Sequence, residues 1–438
     1  MADRPDPRLR PGDPGAVPAR RLIHDWNARG RSFDFAAARI ELFDQTLRDG
    51  LQAPSVHDPS PEAKRELLHL MVALGIDVVD VGLPGAGPRM RAQARALANE
   101  IAGRGLPIAA SCAARPVARD LEPIFEIAQQ SGCPIEAAIF LGASELRHFI
   151  EGWRLAELLE GVERAVRLAV GEGHPVMFVA EDATRAHPET LHLLLTRAID
   201  AGARRICLAD TAGHATPSGV RALIEFVRHE VIHAGANAVG IDWHGHRDRG
   251  LGLANCLAAI EAGAHRIHAT ALGIGERAGN AEMDLLLLNL HLLGMDRPGL
   301  DRLPEYCELV SRATGVRLPD NYPMVGQDVF RTGSGTHAAA ILKARERGLT
   351  ELQDLVYSSV PAGLFGRGQE IAISAHSGLS NVRSWLRENG YDPEDQQGAS
   401  AILAAAKDSA RTLTDLECHR LAVAAGTRIA AGAADVSY

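Results

Sequence analysis

The sequence predicts an α/β protein: a (β/α)8 TIM barrel followed by an α-rich C-terminal extension. Three observations carry the prediction. From about residue 40, a short apolar run followed by a longer amphipathic stretch occurs eight times. The apolar runs are continuous rather than alternating, as in parallel strands buried on both faces. Eight strand–helix units also fit into about 250 residues, the usual size of such a barrel. A doubly wound open sheet competes, but it more often carries a nucleotide-type glycine loop after its first strand, and none follows here.

In chain order the strands are predicted at "IELFDQT", "IDVVDVG", "LPIAASC", "IEAAIFL", "VMFVAED", "RRICLADT", "AVGIDWHGH" and "RIHATALG". Intervening stretches such as "SPEAKRELLHLMVALG" and "TPSGVRALIEFVRHEVIHAG" read as helices. Each opens on Ser or Thr followed by proline, an N-cap and a first helical position. The barrel is expected over 39–295, after an irregular Pro-, Arg- and Gly-rich tail at 1–38. Residues 296–390 read as a linker and C-terminal subdomain, in which "QDVFRTGSGTHAAAILKARERG" is a Gly-rich turn entering a helix. Residues 391–438 read as a small helical subdomain.

Composition narrows the function classes. With 438 residues and 46% hydrophobic content the chain can bury a large core. The net charge of -9 is spread among interspersed acids and bases, so no basic stripe points to nucleic acid. No apolar run reaches the length of a membrane span, and the N-terminus lacks the apolar centre of a signal peptide. Six cysteines without a CxxC pair read as reduced thiols of a cytoplasmic protein.

Barrel active sites sit at the C-terminal ends of the strands. Here those ends carry Arg48-Asp49, Glu181-Asp182, Asp210-Thr211, and His244 with His246. Residues i and i+2 of a strand point the same way, so "HGH" can present two imidazoles to one ion. Asp49 can add a carboxylate, and Asn280, after the eighth strand, a neutral oxygen. Such a set suits a divalent ion in an open site: Mg²⁺ or Mn²⁺ foremost, with Zn²⁺ or Co²⁺ as alternatives. Taken alone, the HxH pair is equally a polar strand end with satisfied histidines; Asp49 and Asn280 at neighbouring strand ends favour the metal. "GIGERAGN", with Gly275, Glu276, Arg277 and Gly279, is either a tight turn or a loop whose glycines allow close backbone approach.

Together, "DQTLRDG", "EDATR", "DTAGHATP", "HGHRDRGLGLAN" and "GIGERAGNA" resemble the 2-isopropylmalate synthase and homocitrate synthase family, of the same superfamily as 3-hydroxy-3-methylglutaryl-CoA lyase. The resemblance runs from about 40 to about 380 and includes "PMVGQDVFRTGSGTH" and "YSSVPAGLFGR". It implies a metal-assisted Claisen-type condensation of acetyl-CoA, or another acyl-CoA, with a 2-oxo acid, followed by thioester hydrolysis. Arg48 would stabilise developing negative charge. Thr211, Gln52 and Arg48 would contact the oxo acid. Glu181, His337 and Tyr357 would move protons or activate the hydrolytic water. His337 and Tyr357 would act in trans in a homodimer. Without the resemblance, His337 reads equally as a surface residue opening a helix, Tyr357 as a packed ring, and Glu181 and Asp182 as loop carboxylates capping the next helix.

A lyase of the hydroxymethylglutaryl-CoA type is the alternative, because "RDGLQ" with Leu51 is typical of that branch while many synthases have glutamate there. The Gly-rich loop has no cysteine of the kind lyases use, and the extension with His337 and Tyr357 favours a synthase. Ala138 stands where synthases commonly have histidine, and Asp80 where glutamate is usual. The oxo-acid pocket is therefore expected to differ from that for 2-oxoisovalerate or 2-oxoglutarate. No leucine-binding regulatory domain is expected.

Overall fold

The computed structural model describes residues 22–30, 33–232 and 239–430. The chain divides into two compact units, one spanning 32–317 and the other drawn from the segments on either side of it. Of the tail predicted at 1–38, residues 1–21 and 31–32 lie outside the described residues, and 22–30 contain one short 3-10 turn, Trp26–Ala28.

Eight parallel strands close the first unit into a barrel: β1 (Glu41–Asp44), β2 (Val78–Asp80), β3 (Ala109–Ala114), β4 (Ile135–Gly142), β5 (Val176–Glu181), β6 (Arg205–Asp210), β7 (Gly240–Gly245) and β8 (Arg266–Ala269). Each lies in or overlaps its predicted apolar run. The helices return outside the barrel, as a parallel connection requires. Both predicted caps form: Ser60 Oγ accepts from Ala63 N at 3.2 Å and Thr216 Oγ1 from Gly219 N at 3.3 Å. β8 pairs with both β7 and β1, so the ends of β7 and β1 stand one strand apart.

The two-residue period of the strands stacks the barrel interior in layers. At the N-terminal end lies an ionic layer. Arg266 reaches Glu41 (2.9 Å), Glu136 (2.7 Å) and Asp242 (3.4 Å), and Arg205 reaches Asp242 at 2.8 Å. Removing one member of such a buried pair costs about 3–5 kcal/mol, because the other charge is left unpaired. Two residues further along, Phe43, Val78, Ala138, Met177 and Cys207 pack as an apolar layer. His268 bridges the two, 3.0 Å from Asp242 and with its ring edge against Phe43.

The second unit is α-rich. Helices Leu379–Glu388, Gln396–Asp408 and Asp415–Ala424 enclose Val382, Trp385, Leu386, Ile402, Ala406 and Ala422. Helix Gly335–Glu346 follows the Gly-rich turn where the sequence places it, and short strands Arg331–Thr332 and Glu370–Ile371 pair in parallel. Among the described residues no helix is long and apolar enough to cross a membrane.

The end of β1 is tied to the helix that follows the barrel. Tyr306, on Leu303–Thr314, donates its hydroxyl to Asp44, and Thr46 N donates to the same carboxylate at 2.8 Å. Burial is the largest influence on Asp44 and outweighs these bonds, raising its pKa from 3.8 to about 6. The folded protein thus holds the Asp44 proton to higher pH than the unfolded chain does. Stability from this group is full below pH ~4 and is lost as pH rises towards 6, by about 3 kcal/mol in all. In Asp44→Asn that fall should vanish: urea-unfolding curves at pH 4 and pH 7 should differ by about 3 kcal/mol less than in the native protein. An unchanged pH dependence would contradict it.

Candidate active site

β1 ends at Asp44, and residues 45–52 turn across the barrel mouth. Asp49 therefore sits five residues beyond the strand, where the turn lets Arg48 and Asp49 both face inward. Further round the barrel the strand alternation still sorts neighbours. Glu181 and Thr211 line the central cavity, whereas Asp182 and Asp210 point away and brace loops. Asp182 takes Arg185 at 2.7 and 2.8 Å and Ser144 at 2.6 Å. Asp210 accepts from Thr184 Oγ1 at 2.7 Å and from His214 N at 2.8 Å. The expected helix-capping role of Asp182 is not realised: it sits in the left-handed region (φ 59°) and makes no side-chain cap.

Asp49, His244 and His246 converge, with one candidate ligand atom from each lying within 4.8 Å of the others. His244 Nε2 and His246 Nε2 are 3.6 and 3.8 Å from Asp49 Oδ2. An antiparallel bridge between His246 and Asn280 brings the fourth predicted ligand alongside. That bridge depends on the Gly-rich loop. Gly275 (φ +152°) has no Cβ to collide with the Asn280 side chain, and Gly279 (φ +94°) none to collide with the Gly273 carbonyl. The loop glycines thus have a purpose within the protein, that of seating Asn280. Arg277 is committed too, to Asp248 (2.8 Å) and the Thr211 carbonyl (2.5 Å). Glu276 lines the rim of the cavity.

The donor set fits a cation. Asp49 Oδ2 and Asn280 Oδ1 are buried without a hydrogen-bond partner, and a buried anionic oxygen left bare is costly. Burial alone would raise the Asp49 pKa, but Arg48, His244 and His246 outweigh it and hold the carboxyl below its ordinary value. Burial pushes His244 well below the usual imidazole value and lowers His246 as well. The site therefore presents a carboxylate and two neutral imidazoles, the protonation states that ligation needs.

Two residues support the site: Asp80, read from the sequence only for its bearing on the oxo-acid pocket, and Gln45, not read from the sequence at all. Gln45 Oε1 is 2.8 Å from His244 Nδ1, which sets the imidazole to donate there and turns the Nε2 lone pair towards Asp49. Gln45 Nε2 donates to Asp80 Oδ2 at 3.4 Å, and Arg48 Nε donates to the same oxygen at 2.5 Å. Arg48 is only 3.4 Å from Asp49, so its principal partner is Asp80. The signal for Gln45 was its place two residues after Phe43, an inward register position holding a polar residue. Gln52 also lines the cavity, and Leu51 is not among the lining residues. In the other unit, His337 and Tyr357 stack with ring centroids 3.9 Å apart and planes at 24°.

A closed (β/α)8 barrel with a two-histidine, one-carboxylate cluster at the C-terminal ends of its strands defines an enzyme of the metal-dependent barrel class. Residues 39–310 match the family model for HMGL-like proteins, and the chain belongs to that family. It is 34% identical over 363 residues to homocitrate synthase AksA of Methanopyrus kandleri, covering 82% of this chain and 84% of that protein. It is 31% identical over 366 residues to 2-isopropylmalate synthase of Shouchella clausii, covering 82% and 68%. A solved HMG-CoA lyase of Bacillus subtilis shares the fold at a TM-score of 0.55 and 20% identity, covering 66% of this chain and 97% of that one.

Gln45→Leu should keep the fold and loosen the His244 ring. Titration calorimetry with Mn²⁺ is expected to show affinity weakened about 10–100-fold, the usual cost of losing a partner that orients a ligand. Native-like affinity would mean that Gln45 does not hold His244.

Proposed function

We propose that this chain is an acyltransferase that condenses acetyl-CoA, or another acyl-CoA, with a 2-oxo acid, and then hydrolyses the thioester to a 2-hydroxy di- or tricarboxylic acid. The convergence of Asp49, His244 and His246 in a cavity shared with Arg48, Glu181 and Thr211 carries this reading. Relatives named as synthases support the reaction, being 31–34% identical over four-fifths of the chain. The lyase alternative has Leu51 and the shared fold of solved structures at 20–22% identity, below that of the synthases cited.

Asp49, His244, His246 and Asn280 would hold the divalent ion, Mg²⁺ or Mn²⁺ foremost, with Zn²⁺ or Co²⁺ as alternatives. When bound, the ion supplies Lewis acidity to a keto oxygen and fixes the adjacent carboxylate. Thr211 accepts from Asp182 N at 2.8 Å, which leaves its hydroxyl proton free for the oxo-acid carboxylate. Gln52, at the rim, is the second polar contact. Arg48, oriented by Asp80, places a fixed positive charge where the keto oxygen becomes an alkoxide. Burial raises the pKa of Glu181 above the ordinary carboxylate value, which makes it a stronger base for proton uptake.

In the first step a C–H bond of the acyl methyl breaks and its proton passes to a base, for which Glu181 is the residue in the cavity. The methyl carbon bonds to the keto carbon and the keto oxygen gains a proton. Water then adds to the thioester, and CoA leaves as the thiol. His337 and Tyr357 are proposed for the hydrolytic step, supplied in trans by the second subunit of a homodimer; their stacked rings form a preset pair. CoA is proposed to pass Gly275, Glu276, Arg277 and Gly279. The segment 296–390 would then be the subdomain that carries the catalytic pair, with 391–438 a helical subdomain beyond it. A cytoplasmic location accords with six free, buried cysteines.

Thiol release from acetyl-CoA, followed with DTNB in Mg²⁺ or Mn²⁺ across a panel of 2-oxo acids, tests the reaction. Turnover is expected with at least one acid, and Asp49→Ala should abolish both turnover and metal binding. No release with any acid, combined with cleavage of a 3-hydroxyacyl-CoA, would establish a lyase instead. For the subunit arrangement, Asp49→Ala and His337→Ala should each be inactive alone and regain activity when mixed and allowed to exchange. Lack of recovery despite proven exchange would place both residues in one active site of one chain.

A further inference from the structure

The cavity is polar towards β1, β7 and β8 and at the strand ends, where Glu181 and Thr211 stand, and apolar below them between β3 and β6. Towards β1, β7 and β8 it presents Gln45, Asp49, His244 and His246. Between β3 and β6 its wall is Ala113, Ala138, Phe140, Met177, Val179 and Ala209. Three of these six are alanines, so the wall recedes towards the apolar layer beneath. The whole cavity, including the space for the ion and the oxo-acid head, has a volume of about 210 Å³. An apolar cavity of about 150 Å³ is known to take up benzene.

Charge narrows the occupant further. Among the lining residues Arg48 carries the one permanent positive charge, and it is already held by Asp80 and Asp49. Four carboxylates, Asp49, Asp80, Glu181 and Glu276, share the cavity. An acceptor with a second acid group on its side chain would bring that charge against an apolar wall with no free cation to receive it. A bulky apolar side chain would instead gain from burial there.

Resting on the condensation reading, we propose that the acceptor is a 2-oxo acid whose side chain is uncharged and about the size of a benzyl group, seated against Ala113, Ala138 and Ala209. The ion cluster takes the oxo-acid head, and the receding wall takes the side chain. A small acceptor such as pyruvate leaves this volume unfilled, and 2-oxoglutarate fills it with a charge.

The test compares kcat/KM for phenylpyruvate, pyruvate and 2-oxoglutarate, with acetyl-CoA as donor. Phenylpyruvate should exceed pyruvate by at least about 10-fold and 2-oxoglutarate by at least about 100-fold. Ala138→Leu, and separately Ala113→Val, should lower the phenylpyruvate-to-pyruvate ratio by about 10-fold or more. A preference for pyruvate or 2-oxoglutarate overturns the proposal, as do filling variants that lower every acid alike. Calorimetric binding of each acid to the Mn²⁺-loaded native protein separates this from the reaction itself. If no acid releases CoA, the condensation reading fails, while tighter binding of phenylpyruvate than of 2-oxoglutarate still supports the pocket. Equal or reversed affinities overturn the pocket whatever the turnover.

Discussion

A buried carboxylate oxygen without a partner, Oδ2 of Asp49, organises the mouth of the barrel. An ionised oxygen removed from water needs a positive charge to face it. The groups around that oxygen do not supply one: the two imidazoles at 3.6 and 3.8 Å are neutral, the guanidinium at 3.4 Å meets the other carboxylate oxygen, and the bare amide oxygen of Asn280 is itself a donor of electrons. Arg48 cannot satisfy Asp49 alone, because Asp80 draws it away. The geometry therefore leaves room for a divalent ion rather than closing into an ordinary salt bridge.

The order of this mouth depends on a chain of hydrogen bonds running along it. His244 is set by Gln45, Gln45 by Asp80, and Asp80 also aims Arg48. A candidate metal ligand and the candidate oxyanion-binding cation thus share one scaffold, so a disturbance at any link reaches both. The glycine loop serves the same end from the other side. Gly275 and Gly279 adopt backbone angles that bring Asn280 against His246, and a side chain at either would displace it. A loop that reads as a phosphate cradle is, in this fold, first a seat for Asn280.

Below the mouth, the barrel separates three environments within a few strand residues. The ionic layer at the N-terminal end neutralises itself through Arg266 and Arg205. The apolar layer above it separates the site from that charge, and His268 spans both. This layering gives the cavity an apolar wall facing a polar one, and so distinguishes the head of a substrate from its tail.

The sequence by itself determined the eight strands, the Ser60 and Thr216 caps, and the spacing that puts His244 and His246 on one face. Those features obey local rules: strand periodicity, capping and turn chemistry act over a few residues. It also showed that Asp49 and Asn280 lie near that face, because β8 alone separates β7 from β1. Only the tertiary structure decided that Asp80, 32 residues away, rather than adjacent Asp49, is the main partner of Arg48. It likewise decided that Gln45 orients His244 across 199 residues, and that Glu136 and Asp242 meet Arg266 inside the barrel. Such pairings are set by which side chains barrel closure brings to the same level, a property of the whole ring that no local pattern records.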